Sequence, residues 1–120
     1  MKFAPRVLIV DESADSREVL SALLERHGAT TLEVRRPQQA IELTNHEHID
    51  LIVFDAESDR TDRGRGAEDL KAAASRNGTP IVILGTVRSG KNHAASGQFL
   101  PKPYHYGQLI HKIEGLLDAA

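Results

Sequence analysis

The chain has 120 residues, 40% of them hydrophobic and 27% charged, with no cysteine; that suits one ordinary domain over residues 1–120 and excludes disulfides and thiolate metal sites. Fifteen Lys+Arg against seventeen Asp+Glu leave a net charge of -2, and aromatics are 4%, which argues against direct nucleic-acid binding and against a membrane-surface role. No apolar run approaches the ~20 residues that span a bilayer, and the start at Met1 lacks the apolar stretch of a signal peptide, so the cytoplasm is the expected compartment.

In chain order, the first apolar run is Val7-Leu8-Ile9-Val10, unbroken and β-branched. Leu51-Ile52-Val53-Phe54 and Ile81-Val82-Ile83-Leu84 resemble it, Thr31–Val34 is a weaker version, and Gln98-Phe99-Leu100 is a short fifth. Continuous apolar runs point to strands buried on both faces, as in a parallel sheet covered by helices. Between them lie helical patterns. Ala14–His27 places Val19, Leu20, Leu23 and Leu24 on one stripe and stops at Gly28. Its start is a capping box of Asp15 with Glu18 or, alternatively, a cap at Ser13. Pro37 opens a helix carrying Ala40, Ile41 and Leu43. Ala67–Arg76 carries Leu70, Ala73 and Ala74 and ends at Asn77-Gly78, and Tyr106–Leu117 carries Leu109, Ile110 and Ile113. Residues 89–96 are a marginal helix, and residues 57–66 a polar, arginine-rich loop. The alternation predicts an α/β, flavodoxin-like, doubly wound sandwich: a five-stranded parallel sheet of order 2-1-3-4-5 with about five helices.

In an open parallel sheet, ligands gather beyond the carboxyl ends of the strands. The first strand ends in Asp11-Glu12, the third in Asp55, the fourth in Gly85-Thr86, and Lys102 follows the fifth between two prolines. Three carboxylates, a hydroxyl and an ammonium therefore converge on one rim. Clustered carboxylates repel, and a hard cation with oxygen ligands, most simply Mg2+, relieves that. A carboxylate can also be a nucleophile toward phosphorus, with a lysine and a hydroxyl holding the phosphoryl oxygens.

Leu8–Ser13, Leu51–Asp55, Val82–Thr86 and Leu100–Tyr104, in this order and each at a strand end, resemble the response-regulator receiver domain of two-component signalling over nearly the whole chain. The resemblance implies that Asp55 is the phosphoacceptor. It implies that Asp11, Glu12, Asp55 and the backbone carbonyl of Glu57 hold Mg2+. Thr86 and Lys102 would contact the phosphoryl group, with a cis bond expected between Lys102 and Pro103. Phe99 would be the switch aromatic, although plain core packing is an equal account of it. The implied function is a phosphorylation-controlled switch. The donor would be a sensor histidine kinase or phosphotransfer protein, and the target a downstream protein not identified by the sequence. Dephosphorylation would be slow self-hydrolysis, so the protein is not an enzyme in the usual sense.

This sequence departs from the family pattern in three places. The second acidic position holds Glu12 where Asp is usual, which implies weaker or water-mediated metal binding. Ala56-Glu57-Ser58-Asp59 replaces the usual segment after the phosphoacceptor, placing another carboxylate near the phosphoryl group. Thr86 and Lys102 stand only sixteen positions apart, a shortening that falls on the fourth helix of the family. These departures motivate an alternative, a pseudo-receiver that binds partners without phosphorylation. Gly85–Lys91 also matches Gly-x-x-x-x-Gly-Lys, but Asn92 stands where a phosphate-binding loop needs Ser or Thr, and no adequate helix follows. The six histidines complete no metal-site spacing and read as surface residues.

Overall fold

Five short parallel strands form a single sheet of order β2-β1-β3-β4-β5: β1 Arg6–Val10, β2 Thr30–Val34, β3 Leu51–Asp55, β4 Ile81–Gly85 and β5 Phe99–Pro101. The structure, a computed structural model, describes residues 4–58, 65–85 and 99–119. Four α-helices lie among these residues: α1 Ala14–Arg26, α2 Pro37–His46, α3 Arg65–Arg76 and α4 Tyr106–Ala119. The marginal helix expected over 89–96 and the phosphate-loop look-alike beyond Gly85 lie outside the described residues. The predicted topology is the observed one.

The helices cover both faces, which is why the strands read as unbroken apolar runs. Val7, Ile9, Val53, Val82 and Leu84 face Leu20 and Leu24 of α1 and Leu109 and Ile113 of α4. Leu8, Val10, Ile52, Phe54 and Ile83 face Ala40 of α2 and Leu70 and Ala74 of α3. The small residues Ala40, Ala67 and Ala74 let α2 and α3 approach the sheet closely.

Helix punctuation follows local chemistry. Ser13 caps α1, its Oγ accepting from the Ser16 N–H at 3.2 Å, so Ser13 rather than Asp15 with Glu18 opens this helix. Pro37 opens α2, and the Gln39 side chain accepts from the Arg36 N–H at 3.1 Å. Gly28 and Gly78 follow α1 and α3 with φ of 98° and 65°. At both, the chain turns back through a left-handed residue, where glycine carries no Cβ penalty. Residues 65 and 66, expected as loop, already belong to α3, and Glu57 lies in a short 3-10 turn over Ala56–Ser58.

One packing expectation is overturned. Val19 does not join the buried stripe of α1; it is 47% exposed. The buried face instead runs through Leu20, Ser21 and Leu24. Ser21 is accommodated because its hydroxyl lies 2.6 Å from that of Thr31 on β2, which satisfies a buried polar group.

The amino-terminal edge of the sheet is heavily pinned. The Arg6 N–H donates to Asp50 Oδ2 at 2.8 Å, and its guanidinium meets Glu47 at 2.9 Å. The Asp50 N–H returns to the Arg6 carbonyl at 2.9 Å, and the Thr30 N–H donates to the Pro5 carbonyl at 2.9 Å. His48 Nε2 adds a 2.7 Å contact to Asp50 Oδ1.

Candidate functional site

Asp11, Asp55 and Lys102 stand at the carboxyl ends of β1, β3 and β5, and Asp55 and Lys102 are in direct contact. Asp11 follows β1 directly. Its N–H donates to the Val34 carbonyl at the end of β2, 3.1 Å away, so the sheet continues one residue past β1 and carries the carboxylate under the rim. Asp11 is 1% exposed. Its Oδ1 accepts from the Ser13 N–H at 3.0 Å. Its Oδ2 is buried with no hydrogen-bond partner. A buried, unpartnered carboxylate oxygen is costly, and it is the kind of atom a cation satisfies. Glu12, next in the chain, is half-buried.

Asp55 is the last residue of β3 and is 7% exposed. Its Oδ1 accepts from the Glu57 N–H at 3.0 Å, a local turn that orients the carboxylate. Its Oδ2 accepts from Lys102 Nζ at 2.7 Å, a charge-assisted bond between residues 47 positions apart in the chain. Glu57 Oε1 stands 3.4 Å from the same ammonium. Burial alone would lower the Lys102 pKa. The hydrogen bond to Asp55 and its charge, joined by Glu57, outweigh that and hold it above the ordinary lysine value. Lys102 is presented by the end of β5, where its N–H donates to the Gly85 carbonyl at 2.7 Å. The Lys102-Pro103 bond is cis, as expected.

Tyr104, two residues beyond Lys102, is half-buried against the core under α1 and α4. Its burial raises the phenol pKa; Lys102 opposes the rise, and Asp55 and Asp11 reinforce it. The ring of Tyr104 meets that of Tyr106 edge to face, with centroids 6.4 Å apart.

Phe99 opens β5 and pairs with Ile83 of β4. It is half-buried against the cluster on the α2 and α3 face. Thr86 lies outside the described residues. Among the described residues no group of three or more His, Asp or Glu side chains forms a cage for a metal ion. Mg2+ does not require such a cage, because it is commonly held by one or two carboxylates and keeps several waters. The all-oxygen donor set and the orphaned Asp11 Oδ2 fit that ion.

Arg17 was not anticipated. Its Nη1 donates to the carbonyls of Asp11 and Glu12, at 2.7 and 3.2 Å, and its Nε stands 3.5 Å from Glu33 Oε1. A signal was present in the sequence: a cation in the first turns of a helix opposes the helix dipole, and such a local conflict is characteristic of functional sites.

A doubly wound parallel sandwich with acidic residues and a lysine at the carboxyl ends of its strands defines the class as a flavodoxin-like α/β domain. Residues 7–114 match the response regulator receiver domain, and the chain belongs to that family. It is 26% identical over 118 residues to the protein PilH of Pseudomonas aeruginosa, covering 93% of this chain and 97% of PilH. It is 38% identical over 84 residues to a protein-glutamate methylesterase/protein-glutamine glutaminase of Shewanella oneidensis. There the match takes in 68% of this chain but spans only 23% of the relative's length. Among solved structures, the receiver domain of a sensor histidine kinase from Pseudomonas aeruginosa, which holds a magnesium ion coordinated in its active-site cleft, superposes with a TM-score of 0.77. It is 18% identical and covers 96% of this chain and 98% of that one. No helix among the described residues is long and apolar enough to cross a membrane.

Proposed function

We propose that this receiver domain is a phosphorylation-controlled signalling switch with Asp55 as its phosphoacceptor. The observation that carries the reading is the 2.7 Å bond between Lys102 Nζ and Asp55 Oδ2 at the carboxyl end of the sheet. It places a cation within reach of any group carried on that carboxylate.

An oxygen of Asp55 attacks the phosphorus of a phosphohistidine on a sensor kinase or phosphotransfer protein. The P–N bond breaks, the imidazole leaves as the neutral base after taking up a proton, and an aspartyl phosphate remains. Lys102 pairs with the phosphoryl oxygens, Thr86 donates its hydroxyl to them, and Phe99 follows the threonine. Asp11, Asp55 and the Glu57 carbonyl would hold Mg2+, with Glu12 acting through water. When bound, the ion screens the repulsion between the carboxylates and the incoming phosphoryl group. The added charge shifts an equilibrium between two surface arrangements, one of which favours the downstream partner.

The test is intact mass after incubation with a small phosphodonor and Mg2+. The expected result is a gain of one phosphoryl group in the native chain and none in Asp55→Asn. No gain at any Mg2+ concentration would overturn the reading and leave a domain that binds partners without phosphorylation.

A further inference from the structure

We infer that Arg17 is a positioning residue for the metal ligands: it fixes the backbone of the acidic turn so that Asp11 and Glu12 are pre-set to receive Mg2+. The inference rests on the metal-dependent site proposed above and adds a residue that never touches the ion.

Three observations converge on it. First, the turn between β1 and α1 has two carbonyls, of Asp11 and Glu12, that lie past the strand and before the helix, and one nitrogen of Arg17 donates to both. A single guanidinium thereby sets two consecutive peptide planes, and with them the directions in which two neighbouring carboxylates leave the chain. Second, Arg17 is itself held. Its Nε meets Glu33 at the end of β2, and the next residue, Val34, accepts the Asp11 N–H. The turn is therefore tied to β2 through its backbone and through the arginine. Third, the side chain of Arg17 is 15% exposed, although it sits where a helix disfavours positive charge. Its place is explained by what it holds.

The fork is essential to the arrangement. Nη1 serves the carbonyls while Nε serves the carboxylate, and a lysine ammonium has neither the planarity nor the reach to do both. Charge alone makes the opposite prediction. A cation near a metal site repels the metal, so removing it would tighten binding and replacing it by lysine would change little. Positioning predicts loss in both cases.

The experiment titrates Mg2+ alone into the full chain, following backbone amide shifts by NMR, for the native protein, Arg17→Lys, Arg17→Gln and Glu33→Gln. Thermal unfolding without metal serves as the folding control. Outer-shell partners commonly change metal affinity 10- to 100-fold. Because Arg17 acts through the backbone, about a tenfold loss is expected for both Arg17 variants, and a smaller loss of roughly threefold for Glu33→Gln, which loosens the anchor from an exposed strand end. Folded Arg17 variants with native or tighter affinity overturn the inference. If neither Arg17 variant folds, Glu33→Gln decides: weaker binding supports the inference and native binding overturns it. A native chain that binds no Mg2+ removes both this inference and the metal-dependent reading, whereas native binding with indifferent variants removes this one only.

Discussion

Lys102 Nζ lies between two carboxylates, 2.7 Å from Asp55 Oδ2 and 3.4 Å from Glu57 Oε1. Glu57 thus shares the cation that a phosphoryl group on Asp55 would need, and it adds a second negative charge beside that cation. Glu57→Gln is expected to speed phosphorylation by a small phosphodonor about two- to fivefold, in line with the ~1 kcal/mol or less that a partly solvated charge contributes. An intact-mass time course measures it, and an unchanged or slower rate would show that Glu57 does not compete for the lysine.

The lysine also makes an alkaline prediction. Burial opposes its charge, but Asp55 and Glu57 raise its pKa above the ordinary 10.5. A cation with a raised pKa in the folded state contributes stability that is complete below the unfolded value and is lost as pH rises through the folded one. Stability should therefore fall above about pH 10.5 through this group, and Lys102→Met should remove that part of the decline. In Asp55→Asn the largest raising influences are gone and burial remains, so the Lys102 ammonium should titrate lower than in the native chain, as read by side-chain NMR.

The unpartnered oxygen of Asp11 predicts how metal and stability are linked. Mg2+ should stabilise the fold by about 1.4 kcal/mol at ten times its dissociation constant. In Asp11→Asn that gain should disappear, while the metal-free protein should be no less stable than the native one, since a buried charged atom has been removed. Thermal denaturation with and without Mg2+ checks both halves.

The buried core and the outward face of α1 give a stability contrast. Phe54, 1% exposed beneath α2 and α3, should lose about 3–5 kcal/mol on truncation to alanine. Val19→Ala, on the outward face of α1, should change stability by no more than about 0.5 kcal/mol. Urea unfolding of the two variants tests the burial pattern directly.

How much of this was written in the sequence depends on the kind of signal. Four residues in a row such as Val7–Val10 can be buried only between two layers of helix, so the sheet and its topology were legible. Gly28 and Gly78 marked helix ends because the chain must turn left-handed there. Val19 stands at the margin of the apolar stripe of α1, where periodicity alone does not separate buried from exposed, and Ser21, polar by composition, gives no hint that the Thr31 hydroxyl on β2 satisfies it. The rim residues Asp11, Asp55 and Lys102 were legible because the end of a strand is a fixed address in a parallel sheet. Their partners were not. Sequence spacing does not show that Lys102 is shared with Glu57, that Asp55 spends an oxygen on the Glu57 N–H, or that Arg17 reaches back over the turn. Those depend on side-chain directions that only the assembled rim determines.

The pinned lower edge has a consequence for signalling. Arg6, Asp50, Glu47, Thr30 and Pro5 bind β1, β2 and the entry to β3 to one another at the end far from Asp55. The sheet is thus anchored like a reed clamped at its base. Under the phosphorylation of Asp55 proposed above, the work of the new charge would not be absorbed by sliding the strands as a block and would pass instead to the helix ends at the rim, α1 and α4.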